Sequence, residues 1–300
     1  MKLNSFPFGE LLKKAWQWTI KNKILWIIAF FAGSGGFAMN LSLNNSDKKV
    51  IQNIFENSGM IKEKISMFWA DMGNFVFFIF SILVFFLLFF LLSLAMNAAV
   101  IQSNKKIQNN ESYKFWSLVK SGFSFLPRML LLSVLWGIPN LILLILMIVG
   151  LGFSLTAPGA WSIALFGIAI IVGLIYNLFI WLLRHNAYCF AVLENNNAWT
   201  ALKNSTRLLF KNFGIVLIAS LIEIGLSIAI GLGIIISLII IAIPFVIFGG
   251  LLMFVVGGWG ILIPVILGAL ISLCLLAVVR GASSFLFNVF LTNVYWEIKK

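Results

Sequence analysis

Two charged residues stand where charge is costly. Glu223 is the one charged residue between Phe213 and Val279, and Arg280 follows directly after that apolar stretch. Inside membrane-spanning helices an unpaired carboxylate or guanidinium costs at least a few kcal/mol. Along a helix Glu223 lies about 15 Å past Phe213, and Arg280 about 20 Å before Tyr295. Those depths suit a pair, with Asn177, Asn288 and Asn293 available to line the same polar region. Such a pair could serve a proton or solute pathway, or it could only pin two helices together. A rival arrangement ends the last span at Val279, leaves Arg280 as a cytoplasmic flank and lays 282–296 on the membrane surface.

The other reactive residues form no site by spacing. A metal needs clustered His, Cys or carboxylates, and this chain has one His and two distant Cys. HExxH is absent, as is the phosphate loop GxxxxGK[ST]. An intramembrane serine protease would need His185 at the depth of Ser283 and Ser284, but His185 sits beside Arg184 at a predicted span end. It is read as an interfacial residue. Cys189 and Cys274 read as small apolar residues rather than a disulfide. No catalytic, metal or cofactor site is expected, and the protein is read as not an enzyme.

The elements that must position Glu223 and Arg280 are helices in a bilayer. The chain is 62% hydrophobic and only 10% charged, against roughly a quarter charged in soluble domains. Its apolar runs are continuous, which argues for α-helical spans and against an alternating β-barrel. Six spans are predicted, at 24–41, 75–102, 129–151, 162–183, 214–243 and 261–295. Pro244 and the glycine pairs 249–250 and 257–258 are expected to interrupt the chain between the last two. No small-residue cleavage site follows the first apolar run, so it is expected to remain as a span.

Three short basic stretches precede pairs of spans. Apolar residues recur at the same spacing in Phe8, Leu11, Ala15, Trp18; in Trp116, Val119, Phe123, Leu126; and in Trp199, Leu202, Thr206, Leu209. On a helix such spacing gives an apolar face beside a basic one, which suits a helix lying on the membrane. Single-domain organisation over 1–300 follows, with possible units 5–102, 112–183 and 197–296, each an interfacial helix plus two spans. The polar connection 43–73 is read as an outer cap made of two short helices. Of the 21 Lys and Arg, sixteen fall on the side of the N-terminus, four, neutralised by acids, on the other, and Arg280 inside the last span. That asymmetry places both termini in the cytoplasm. It also explains the net charge of +12 without nucleic acid.

Three stretches carry a resemblance: FGELLKKAWQWTIKNKILW before the first span, AYCFAVLENNNAWTALKNSTRLLFKNFG inside the chain, and the closing LTNVYWEIKK. Together they resemble the bacterial membrane domain found beside glycerophosphodiester phosphodiesterases, and its stand-alone relatives of unknown function. The resemblance implies a six-helix fold in the bacterial cytoplasmic membrane. It carries over no catalytic residue, because the paired histidine and metal-binding carboxylates of those enzymes have no counterpart here.

Two functions fit. One is a non-enzymatic membrane-organising or accessory protein whose cytoplasmic collar holds anionic headgroups through Lys13, Lys14, Trp16, Trp18, Trp116, Lys120, Trp199, Lys203, Arg207 and Lys211. The other is a transporter or permease for a small or lipid-like solute, using Glu223 and Arg280. Its expected partner is the lipid bilayer; protein partners are left open.

Overall fold

The computed structural model describes residues 6–33, 72–156, 160–256 and 262–300. Nine helices order this part of the chain: α1 (Phe8–Lys21), α2 (Leu25–Gly33), α3 (Met72–Gln108), α4 (Phe115–Ser124), α5 (Leu126–Thr156), α6 (Ala160–Leu193), α7 (Ala198–Lys211), α8 (Phe213–Val256) and α9 (Leu262–Lys299). Among the described residues there is no strand. By length and composition, α3, α5, α6, α8 and α9 can each cross a membrane. The protein is a multi-pass, all-helical membrane protein. The predicted first span is represented by the nine residues of α2, and its remainder lies outside the described residues. So does all of the 43–73 connection up to Asp71.

Three boundaries differ from expectation. The fourth span does not stop at Leu183, because α6 runs on through Arg184 and His185 to Leu193. Charge ends an apolar run but not a helix, and AYCFAVL beyond it is buried on neighbouring helices. Pro244 and the glycines at 249 and 250 do not break α8, which continues to Val256. Proline costs a helix one backbone hydrogen bond, and a long apolar helix absorbs that loss. Finally, 282–296 does not lie on a surface. It continues α9, with Phe285, Val289, Phe290, Thr292 and Tyr295 buried.

The packed core sits at one end of the bundle, where the last turns of α3, α6 and α9 meet. α3 divides the core in two. Ala95, Met96, Ala99 and Val100 face a cluster with α1, α2 and α9. Leu94, Ala98 and Ile101 face a second cluster with α5, α6 and Tyr295. This alternation follows helical periodicity on a span made of small residues. Each short helix then packs on the end of one long helix: α1 on α9, α4 on α3, α7 on α6. α2 fills the space between α9 and α3, while α5–α6 and α8–α9 form hairpins.

The turns into the spans are built locally. Asn22 and Asn212 follow α1 and α7, and their N–H groups donate to the carbonyls of Trp18 (3.1 Å) and Leu208 (3.0 Å). Their own carbonyls then accept from Leu25 (3.0 Å) and Ile215 (3.1 Å), which starts the next helix. Asn110 and Asn195, just past α3 and α6, take φ of 55° and 58°. Asparagine tolerates that left-handed conformation where a helix terminates.

Candidate functional site

Directly beyond the packed core, toward the long apolar arms, lies a cavity of about 330 Å³ lined by α2, α3, α6, α8 and α9. Its lining is unusual for this chain: Arg184 and His185 from α6, Glu223 from α8, Arg280, Ser283, Ser284 and Asn288 from α9, and Ser93 and Asn97 from α3. Trp181, Tyr188, Phe287 and Phe90 close the rest.

Part of this polarity serves α2. The carbonyl of Ala32 accepts from Asn97 Nδ2 (2.8 Å) and Ser93 Oγ (3.1 Å). The carbonyl of Gly33 accepts from Arg280 Nη2 at 2.6 Å. The last turn of a helix presents carbonyls without intrahelical donors and a partial negative charge, so these donors and the guanidinium suit it. Close approach is needed: a Cβ on Gly33 would come within 2.9 Å of Ser284 Oγ, and one on Gly281 within 2.5 Å of the Trp26 carbonyl oxygen.

A second polar layer lies below the cavity and joins the three core helices. Thr292 Oγ1 donates to the Asn288 carbonyl (2.6 Å) and accepts from Asn104 Nδ2 (3.3 Å). His185 Nε2 lies 3.3 Å from the same hydroxyl and 3.5 Å from Cys189 Sγ. Asn104 Oδ1 and Asn293 Nδ2 are buried without a hydrogen-bond partner among the described residues. At the outer edge of the core, Glu194 accepts from the Tyr295 hydroxyl and from Lys299 Nζ. Arg128 donates to Asn195 next to it. The internal AYCFAVLEN stretch and the terminal NVYWEIKK stretch are therefore bound to each other.

The comparisons with known proteins bear on this arrangement. A family of unknown function, DUF7544, matches residues 14–294. The chain belongs to it. This DUF7544 protein has no match among curated proteins or solved structures. No link to the membrane domains of glycerophosphodiester phosphodiesterases is shown.

The predicted residues fall into two places. Glu223 and Arg280 line the same cavity, but no ion pair joins them among the described residues. Arg280 is bonded to Gly33, and Arg184 lines the cavity together with Glu223. Asn288 lines the cavity, Asn177 lies in a neighbouring crevice, and Asn293 is buried in the core below. Arg184 is the residue sequence reasoning missed. The signal was present: an apolar helical run resumes after two further residues, so the helix was free to continue past it.

The collar residues lie on α1, α4 and α7 at the core end. Trp16, Trp116 and Trp199 are 56, 78 and 68% exposed, and Lys13, Lys120, Lys203, Arg207 and Lys211 are exposed as well. Lys14 is half-buried with its ammonium 4.7 Å from the Trp18 ring, and Trp18 packs against the core. On α7 the packed stripe is Ala198, Ala201, Ser205 and Leu209. On α4 it is Leu118 and Gly122. The aromatic residues of the predicted apolar faces, Trp116, Phe123 and Trp199, stay outside, as does Phe210. Small residues pack because they let the helix axis come close. The aromatics are too large for that seam.

Proposed function

We propose that this DUF7544 protein is a carrier or permease of the bacterial cytoplasmic membrane that takes up an anionic solute in the cavity between α3, α6, α8 and α9. The observation that carries this reading is the convergence of Arg184, Arg280 and Glu223 on one cavity in a bundle with almost no other internal charge. Intramembrane ionisable residues facing a cavity mark pathways more often than they mark packing. At about 330 Å³ the cavity is at the lower end of the roughly 300–1,000 Å³ usual for small-molecule sites. Efflux of labelled organic carboxylates and phosphate esters from proteoliposomes tests it. Flux that vanishes in Glu223→Gln with folding intact supports the carrier. No flux of any anion above protein-free vesicles overturns it.

The proposal includes six spans, with α2 opening the first, and both termini in the cytoplasm. A reporter fused after residue 60 that behaves as cytoplasmic would refute that threading. It also includes three units over 5–102, 112–183 and 197–296; the matching corners at Asn22 and Asn212 support this for the first and third. A second role, organising the membrane through the collar, is favoured by the exposure of Trp16, Trp116 and Trp199 at the end where the short helices gather. Both roles are non-enzymatic and neither involves nucleic acid. Binding to anionic vesicles that falls steeply with salt supports the collar.

A further inference from the structure

The cavity has a neighbour that suggests what kind of anion it takes. Between α6 and α8 runs an open crevice of about 660 Å³, lined by Leu174, Leu178, Ile224 and Ile228 with Asn177 and Ser227. It shares Trp181 and Glu223 with the polar cavity. A polar chamber holding two arginines thus adjoins an apolar groove, and Glu223 stands at the join.

The level of this join also matters. Large apolar side chains are exposed over 76–90 on α3, 131–151 on α5, 161–178 on α6, 213–251 on α8 and 265–278 on α9. That belt is what the hydrocarbon of the bilayer covers. On three helices this exposure ends where the cavity begins, after Phe90 on α3, after Leu178 on α6 and after Val278 on α9, whereas on α8 it continues past Glu223 to Phe213. The cavity therefore lies near the core-side edge of the belt, and the crevice leads from it further into the belt. A small water-soluble anion has no use for an apolar side exit. A molecule with a charged head and a hydrocarbon tail fits both parts.

Resting on the anionic-solute reading above, we infer that the ligand is a lipid-like amphiphile, its anionic head beside Arg184 and Arg280 and its chain in the α6–α8 crevice. The charges dictate a division of labour. Glu223 and Arg184 line the same cavity, so an incoming anionic head competes with the carboxylate for the guanidinium. Glu223→Gln removes the competitor and tightens binding, even as it blocks flux. Arg184→Gln removes the attraction and weakens binding.

The test uses the full chain in a non-ionic detergent, titrated with dodecyl phosphate, methyl phosphate or dodecanol. Thermal melting reports affinity and native mass spectrometry counts bound molecules. One dodecyl phosphate is expected to bind at least tenfold more tightly than either of the other two. Arg184→Gln should weaken it at least tenfold, Glu223→Gln should strengthen it, and Ile228→Trp, which fills the crevice, should remove only the advantage over methyl phosphate. Glu223→Gln and Ile228→Trp keep the test decisive if Arg184→Gln fails to fold. Methyl phosphate binding as tightly as dodecyl phosphate overturns the amphiphile but leaves the anionic-solute reading standing. Dodecanol binding as tightly overturns both. Dodecyl phosphate binding that is lost in Lys203→Gln/Arg207→Gln sits on the collar, and that too overturns the inference.

Discussion

Arg280 and Glu223 answer to different partners, and their substitutions should separate accordingly. Arg280 donates to the carbonyl of Gly33 from an exposed position, so Arg280→Gln should lower stability by about 0.5–1.5 kcal/mol, the net worth of one hydrogen bond. Among the described residues Glu223 has no such bond, so Glu223→Gln should leave the melting temperature unchanged or raise it. An equal loss in both variants would restore the direct pair. A second knot is graded by burial. Tyr295 is 1% exposed, whereas the Lys299 and Glu194 side chains are 46% and 27% exposed. Tyr295→Phe removes a buried charge-assisted hydrogen bond and should cost about 1.5–3 kcal/mol. Lys299→Gln breaks a partly solvated ion pair and should cost less than about 1 kcal/mol. Chemical unfolding of the two variants checks the order. Part of this was legible in the sequence: Glu223 and Arg280 stand out because they interrupt oil-soluble runs, and both reached the cavity. Their partners were not legible, because Gly33 and Arg184 are distant in the chain and only the packing of α2 and α6 brings them near.

Helix contacts in this protein depend on how closely backbones approach, and glycines decide that at two seams. At α4 a Cβ on Gly122 would lie 2.3 Å from the Ala95 carbonyl oxygen. At α9 a Cβ on Gly281 would lie 2.5 Å from the Trp26 carbonyl oxygen. Neither backbone atom can step aside, so Gly122→Ala and Gly281→Ala should each cost about 1–3 kcal/mol. Gly225 and Gly231 have nothing within 4 Å of that position. Alanine there should be neutral or stabilising by about 0.5–1 kcal/mol, since helical glycine carries an entropic cost. Thermal melting of the four variants in one detergent gives the contrast. The same seams show why element boundaries escaped hydropathy. Ala201, Ser205 and Gly122 are weak signals on any apolar scale, yet they are the packed face. Trp199 and Phe210 are strong signals and lie outside it. Likewise Arg184 and Pro244 look like terminators, but a helix can carry a charge facing a cavity and a proline in its apolar arm.

At the scale of the whole molecule, a tight core at one end carries long arms at the other. α5 packs closely against α6 and α8 against α9, whereas α6 and α8 touch only sparsely and border the crevice between them. Disulfide trapping reads this directly, once Cys189 and Cys274, both free thiols, are replaced by serine or alanine. A Cβ on Gly150 lies 3.7 Å from Phe166 Cβ, and one on Gly268 lies 3.5 Å from Phe245 Cβ. Both separations suit a disulfide, which needs Cβ atoms about 3.5–4.5 Å apart. The pairs Gly150→Cys/Phe166→Cys and Gly268→Cys/Phe245→Cys should therefore close rapidly under mild oxidant in native membranes. Leu174→Cys/Ile228→Cys, set on opposite walls of the crevice, should close slowly, because the walls must first come together. Dodecyl phosphate should slow that third pair further by occupying the gap and leave the first two unchanged. Equal rates for all three pairs would mean that α6 and α8 are packed like the hairpins, and an arm-to-arm opening would then have no place in how this protein meets lipid.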